Sequence, residues 1–205
     1  MARPRVHDLD VLLDHARDLW VQGGPGRVTT RELSAVSGVS NGAIYHAFGS
    51  RDGLLVRVWS RQAEEFLRFQ RDATEQVLAR GGDARDAVTC AALAPADYAT
   101  RDEQGARLLL AVTPHTLATD RLSQDDRRRL HHLRTEVRTL VHELATRLTG
   151  GASPEALDLV RHCVVDLPGV LLLKPARPTD PLARHALEHA VRGILTSPHL
   201  TKPPA

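Results

Sequence analysis

Gly38-Val39-Ser40-Asn41-Gly42 matches the G-x-S-x-G pattern in which serine hydrolases carry their nucleophile. Such a serine needs a strand before it and a sheet beneath it. The residues before Ser40 read instead as a helix without a β-branched run, so Ser40 is expected to be a helix N-cap. His185 and His189, four residues apart, could share a metal on a helix face. Glu188 sits at the wrong offset for the zinc-protease pattern, and the pair reads as solvated or interfacial. His131 and His132 follow Arg127-Arg128-Arg129 and read as a solvated helix face. Cys90 and Cys163 lie far apart and lack the electropositive setting that makes a thiol reactive. They suit buried free thiols in a reducing compartment. No nucleophile–base pair and no phosphate-cradling glycine loop is visible. No catalytic residue, metal or cofactor is expected.

The chemistry left is recognition, and it concentrates between Thr29 and Leu55. Thr29-x-x-Glu32 has the form of a capping box, after which Leu33 and Val36 fall on one helical face. Gly38 stands where the chain must reverse, a position that favours a residue able to take a left-handed backbone. Ser40 then caps a helix from Asn41 to Phe48, whose Ile44 and Phe48 are spaced for burial. Two helices joined by a short turn containing glycine form the helix-turn-helix plan, whose second helix enters the DNA major groove. Asn41, Ala43, Tyr45 and His46 would then face the groove. Thr29, Thr30, Ser40 and Arg51 would stand at the capped helix ends, where hydroxyls, backbone N–H groups and charge hold phosphates. Asn41 can bond a purine edge, and Ala43 suits a thymine methyl.

Thr30, Leu33-Ser34, Gly38-Val39-Ser40, Gly42-Ala43-Ile44-Tyr45, Phe48, Ser50-Arg51 and Leu54 together resemble the DNA-binding segment of the tetracycline-repressor (TetR) family. Leu12 to Gly24 resembles the first helix of that family and its glycine exit. The resemblance covers roughly the first 60 residues. Asn41 departs from a frequent Lys, Ser34 from a usual Ala, and Gly23 to Arg27 make a longer, proline-containing turn. The resemblance implies a dimeric regulator that binds double-stranded operator DNA. It also implies a larger second domain whose small-molecule effector releases the DNA.

The elements that must position these residues are all helical. Leu9, Leu12, Leu13, Ala16, Leu19 and Trp20 follow the 3.6-residue period of a first helix. Ser50 opens a long helix that ends at Gly81-Gly82, and about nine helices are expected in all. Pro95 should kink or break the helix that Asp83 opens, and Thr100-x-x-Glu103 should cap the one that follows. Ser123 opens another long helix ending at Gly150-Gly151. Ser153-Pro154 opens one that runs to about Leu173 with a kink at Pro168-Gly169. A proline-rich loop over residues 174–180 precedes the last helix, which Asp180-Pro181 opens.

The fold class is therefore all-α. A helix-turn-helix domain at residues 1–50 would be joined by the long helix to a helical regulatory domain at residues 51–196. Residues 197–205 would be a disordered tail.

Net charge is only +2, so the molecule is no general polyanion binder. Between Arg27 and Arg61, however, five arginines face two acids, a local charge of +3 beside an acidic first helix. No apolar run approaches the length needed to span a bilayer, and no signal peptide is seen. A cytoplasmic protein without membrane contact is expected.

Six of the seven aromatic residues precede residue 70, and Tyr98 is alone in the rest of the chain. An effector in the second domain would then be small and mainly aliphatic, since planar or cationic ligands rely on ring faces. Cys90, Tyr98, Thr113, His115 and His162 are the candidates to line its pocket. The segments 154–173 and 181–195 are unusually apolar for terminal elements, and two copies would bury them mutually in a four-helix bundle. This makes a homodimeric repressor on a palindromic operator the leading reading. The alternative is a helical interaction protein with the same plan that reads no DNA.

Overall fold

Leu12, Ala16, Leu19 and Trp20 recur at helical spacing and are buried along α1 (Leu9–Gly23). The computed structural model describes residues 9–173 and 177–196. The tail at 197–205 and residues 174–176 of the proline-rich loop lie outside them. Among the described residues there is no strand, and the chain divides into two compact units.

The first unit holds residues up to Ala63 together with Arg107–Leu133. After α1 the chain makes one 3-10 turn at Pro25–Arg27 and enters α2 (Thr30–Ser37). Thr29 caps α2 by accepting the Glu32 N–H at 3.1 Å, the hydroxyl half of the expected box. Gly38 ends α2 with φ 71°, a left-handed conformation that costs glycine little and a branched residue much. Ser40 accepts the Ala43 N–H at 3.3 Å and so caps α3 (Asn41–Phe48). Ser40 is thus a helix cap and no nucleophile elbow. Ile44 and Phe48 turn inward at 0 % and 3 % exposure.

Ser50 caps α4 (Arg51–Ala79) through the Gly53 N–H. At 29 residues α4 runs about 44 Å at 1.5 Å per residue, too long for one core, and the boundary between the units falls after Ala63. The first unit also takes in α6 (Glu103–Ala111) from Arg107 on, α7 (Pro114–Leu117) and the opening of α8 (Gln124–Thr149). Side chains explain the return: Thr119 donates to Asp52 at 2.9 Å and Arg57 to Asp126 at 3.1 Å, both reaching the first two turns of α4.

The second unit holds Glu64–Ala106 and the residues from Arg134 on. Its core gathers Ala87, Val88, Ala91 and Ala92 of α5 (Ala84–Arg101) with Leu140, Leu144 and Ala145 of α8. Val160 of α9 (Pro154–Arg161) and Leu187, Val191 and Leu195 of α10 (Pro181–Leu195) complete it. Each buried Leu or Val contributes about 1.5–3 kcal/mol relative to exposure.

α5 does not break at Pro95. Proline lacks the N–H that would bond the Ala91 carbonyl, and the Gln70 side chain supplies a donor there at 2.8 Å. The next helix is capped by Asp102, whose carboxylate accepts the Gly105 N–H, while Thr100 bonds back to Ala96. After α9 the expected kink is a widening: His162–Asp166 and Gly169–Leu173 are π-helical on either side of Pro168.

Candidate nucleic-acid interface

α3 is fixed from three sides, by its Ser40 cap, by burial of Ile44 and Phe48, and by its carboxyl end. What it leaves outward is Asn41, Gly42, Tyr45 and His46, all exposed, with Ala43 half-buried at the edge of that face. Tyr45 is 64 % exposed, unusual for an aromatic ring. The face offers an amide that both donates and accepts, a phenol, an imidazole and a methyl group.

At the margins, Thr29 and Thr30 are half-buried and Ser40 is exposed. The hydroxyls of Thr29 and Ser40 accept backbone N–H groups, which leaves their own O–H free to donate to an oxyanion. The five arginines counted from the sequence separate sharply. Arg51 donates through Nε to the Val28 carbonyl at 2.9 Å and through Nη2 to the Pro25 carbonyl, so two of its donors hold the 3-10 turn. Arg57 is held by Asp126 and by the Ala47 carbonyl, and Arg61 by Asp14. Arg27 and Arg31 are exposed and form no ion pair among the described residues. Charge counting along the sequence missed these internal acceptors, because carbonyls carry no formal charge and Asp126 is 69 residues from Arg57.

Three residues that sequence reasoning passed over position α3. Arg57 Nη1 donates to the Ala47 carbonyl at 2.9 Å, one of the last four carbonyls of α3, which have no helical donor. Its guanidinium carbon lies 5.5 Å from the centre of the Phe48 ring. Asp126, only 1 % exposed, neutralises that guanidinium and is itself bonded by the Ser123 hydroxyl at 2.6 Å. Gly53 permits the approach: a Cβ there would stand 2.4 Å from the Phe48 carbonyl oxygen and 3.0 Å from Asp126 Oδ2. A glycine in the first turn of a long helix was the available signal.

Residues 12–58, which hold α2, α3 and the opening of α4, match the family model described as bacterial regulatory proteins of the tetR family. This segment belongs to the tetR family of bacterial regulatory proteins. Among curated proteins none matches this chain. Solved structures share its fold along nearly the whole chain. A putative transcriptional regulator from Pseudomonas aeruginosa PAO1 has a TM-score of 0.68 at 20 % identity, covering 93 % of this chain and 91 % of that one. The transcriptional regulator FadR from Bacillus subtilis, in complex with stearoyl-CoA, has a TM-score of 0.66 at 13 % identity, covering 93 % and 98 %. The reduced form of NemR from E. coli has a TM-score of 0.62 at 20 % identity, covering 92 % and 97 %.

The residues proposed to line an effector pocket are not brought together. Thr113 caps α7 and His115 lies within it, both exposed and both in the first unit. His162 is exposed and bonded to Asp166 at 2.6 Å. Cys90 is half-buried on α5, with its pKa raised by burial and further by the Asp97 charge. Tyr98 lines a cleft of about 400 Å³ within the second unit.

The cleft is lined by aromatic and charged side chains. Phe69 and Tyr98 pack 5.5 Å apart beneath a rim of Glu65, Arg68, Asp72 and Arg101. Phe66 also packs against Tyr98, at 5.4 Å. Counting aromatics by sequence position missed this cluster because α4 carries Phe66 and Phe69 into the second unit. No group of three or more metal-ligating side chains occurs among the described residues, and no helix among them is long and apolar enough to cross a membrane.

Proposed function

We propose that the protein is a repressor that binds a palindromic operator as a homodimer and is released by a small effector. The observation that carries the reading is the outward face of α3, where Asn41, Tyr45 and His46 stand exposed on a helix whose opposite face is buried. A single α3 covers only a few base pairs, and two copies about a two-fold axis would fix the register on paired half-sites. Thr29, Thr30 and Ser40, with Arg27 and Arg31, are the groups proposed to hold phosphates, and Arg51 contributes chiefly by holding the turn before α2.

The dimer surface is smaller than the sequence suggested. Leu187, Val191 and Leu195 are buried in the unit's own core, as are Val160, Cys163 and Leu172. Leu182 at 75 %, Val170 at 52 % and Val165 at 39 % exposure remain outward on the same two segments and support pairing there. The cleft supports an effector with a planar portion and charged groups rather than an aliphatic chain. A gel shift with the promoter fragment of the protein's own gene, with and without candidate effectors, tests the reading. A retarded band that sharpens as a dimer complex supports it, and absence of any shift at micromolar protein contradicts it.

A further inference from the structure

We infer that Arg57 and Asp126 act as one positioning pair for the recognition helix, so that DNA affinity depends on a part-buried ion pair that never touches DNA. This rests on the reading of α3 as the DNA-reading helix. The carboxyl end of α3 has orphan carbonyls, and the guanidinium of Arg57 satisfies that of Ala47 at 2.9 Å while lying against the Phe48 ring. A guanidinium alone could swing toward solvent or toward a phosphate. Asp126 prevents this: its carboxylate takes Nε at 3.1 Å from a position 1 % exposed, and Ser123 holds the carboxylate in turn.

The fork geometry of arginine allows one side chain to bond the carboxylate through Nε and the carbonyl through Nη1 at once, which a lysine could not reproduce. Thr119 bonding Asp52 and the absence of a side chain at Gly53 keep the opening of α8 and the opening of α4 close enough for the pair to form. The pair therefore sets the pitch at which Asn41, Tyr45 and His46 meet the groove.

Replacing both members separates positioning from stability. A buried pair replaced by apolar residues of similar size usually leaves the fold as stable or more so, whereas removing one partner strands a charge. The full-length double variant Arg57→Met, Asp126→Leu is compared with wild type in two ways. Amide hydrogen exchange on free protein reads α3 directly, and titration of the own-gene promoter fragment reads binding.

The expected result is unchanged thermal midpoint and helix content, exchange in α3 on the order of tenfold faster, and promoter affinity down about tenfold with the salt slope unaltered. Wild-type exchange in α3 together with wild-type affinity overturns the inference. So does a loss of affinity with the slope reduced by about one, since Arg57 would then contact phosphate itself. If wild type binds no DNA, the functional reading fails, and the exchange measurement alone still decides the pair. Should the double variant unfold, Asp126→Asn keeps the shape and one acceptor and is read by the same two outcomes.

Discussion

The side-chain amide of Gln70 donates to the carbonyl oxygen of Ala91 at 2.8 Å, the carbonyl that Pro95 deprives of its helical partner. Gln70 is 4 % exposed, so the bond is made where water cannot replace it. Gln70→Leu should cost about 1–3 kcal/mol by leaving that carbonyl buried and unpaired. In a Pro95→Ala background the new N–H serves the carbonyl, and the same change should cost much less. Urea midpoints for the four proteins of this cycle check it. Strictly additive costs would show that the amide does not stand in for the missing helical donor.

Arg31 and Arg51 should respond differently although both are exposed. Arg31→Ala should weaken binding to all DNA sequences alike and lower the salt slope by about one. Arg51→Ala removes two bonds to the Pro25 and Val28 carbonyls and should also lower stability, by about 1 kcal/mol. Salt-dependent titrations beside thermal melts check both. An Arg51 variant that loses salt slope with an unchanged melt would return it to the phosphate role read from the sequence.

Most of the first unit was legible because its signals are local. Thr29, Gly38 and Ser40 define turns within four residues of themselves, and burial of Ile44 and Phe48 follows from helical period alone. Val36 escaped the same logic, being 48 % exposed where Leu33 is fully buried. The Arg57–Asp126 and Gln70–Ala91 ties were not legible, since each joins residues far apart in sequence through acceptors that no periodicity marks. How the effector candidates are spaced was not legible for a related reason: polarity and helix membership do not say which face a neighbouring helix will cover.

Leu182, Val170 and Val165 give the dimer a compact test. Leu182→Glu together with Val170→Glu should yield a folded species sedimenting at the monomer mass of 22.5 kDa. Wild type at micromolar concentration should sediment at twice that. A variant still dimeric would place the interface elsewhere.

Cys163 should make stability fall at alkaline pH. Burial raises its thiol from 9.0 to about 11, so the unfolded chain releases the proton first as pH rises. Below the ordinary thiol value the contribution is fully present, and it is lost as pH climbs to the folded value, on the order of 2 kcal/mol in all. Cys90, raised by burial and then by Asp97, acts in the same direction. Urea unfolding across that window, with Cys163→Ala as reference, checks the slope. An equal slope in the reference would assign the alkaline loss to other groups.

The central claim is that the outward face of α3 reads DNA. Nuclease footprinting of the own-gene promoter by wild type and by Asn41→Ala, Tyr45→Ala and His46→Ala measures it most directly. Wild type should protect a segment with two-fold symmetry and half-sites about one helical turn apart or a multiple of that. The variants should keep the wild-type melt and lose protection, each good base contact being worth about 1–3 kcal/mol. Protection that survives loss of all three side chains, or none at all from a folded wild type, would contradict the account.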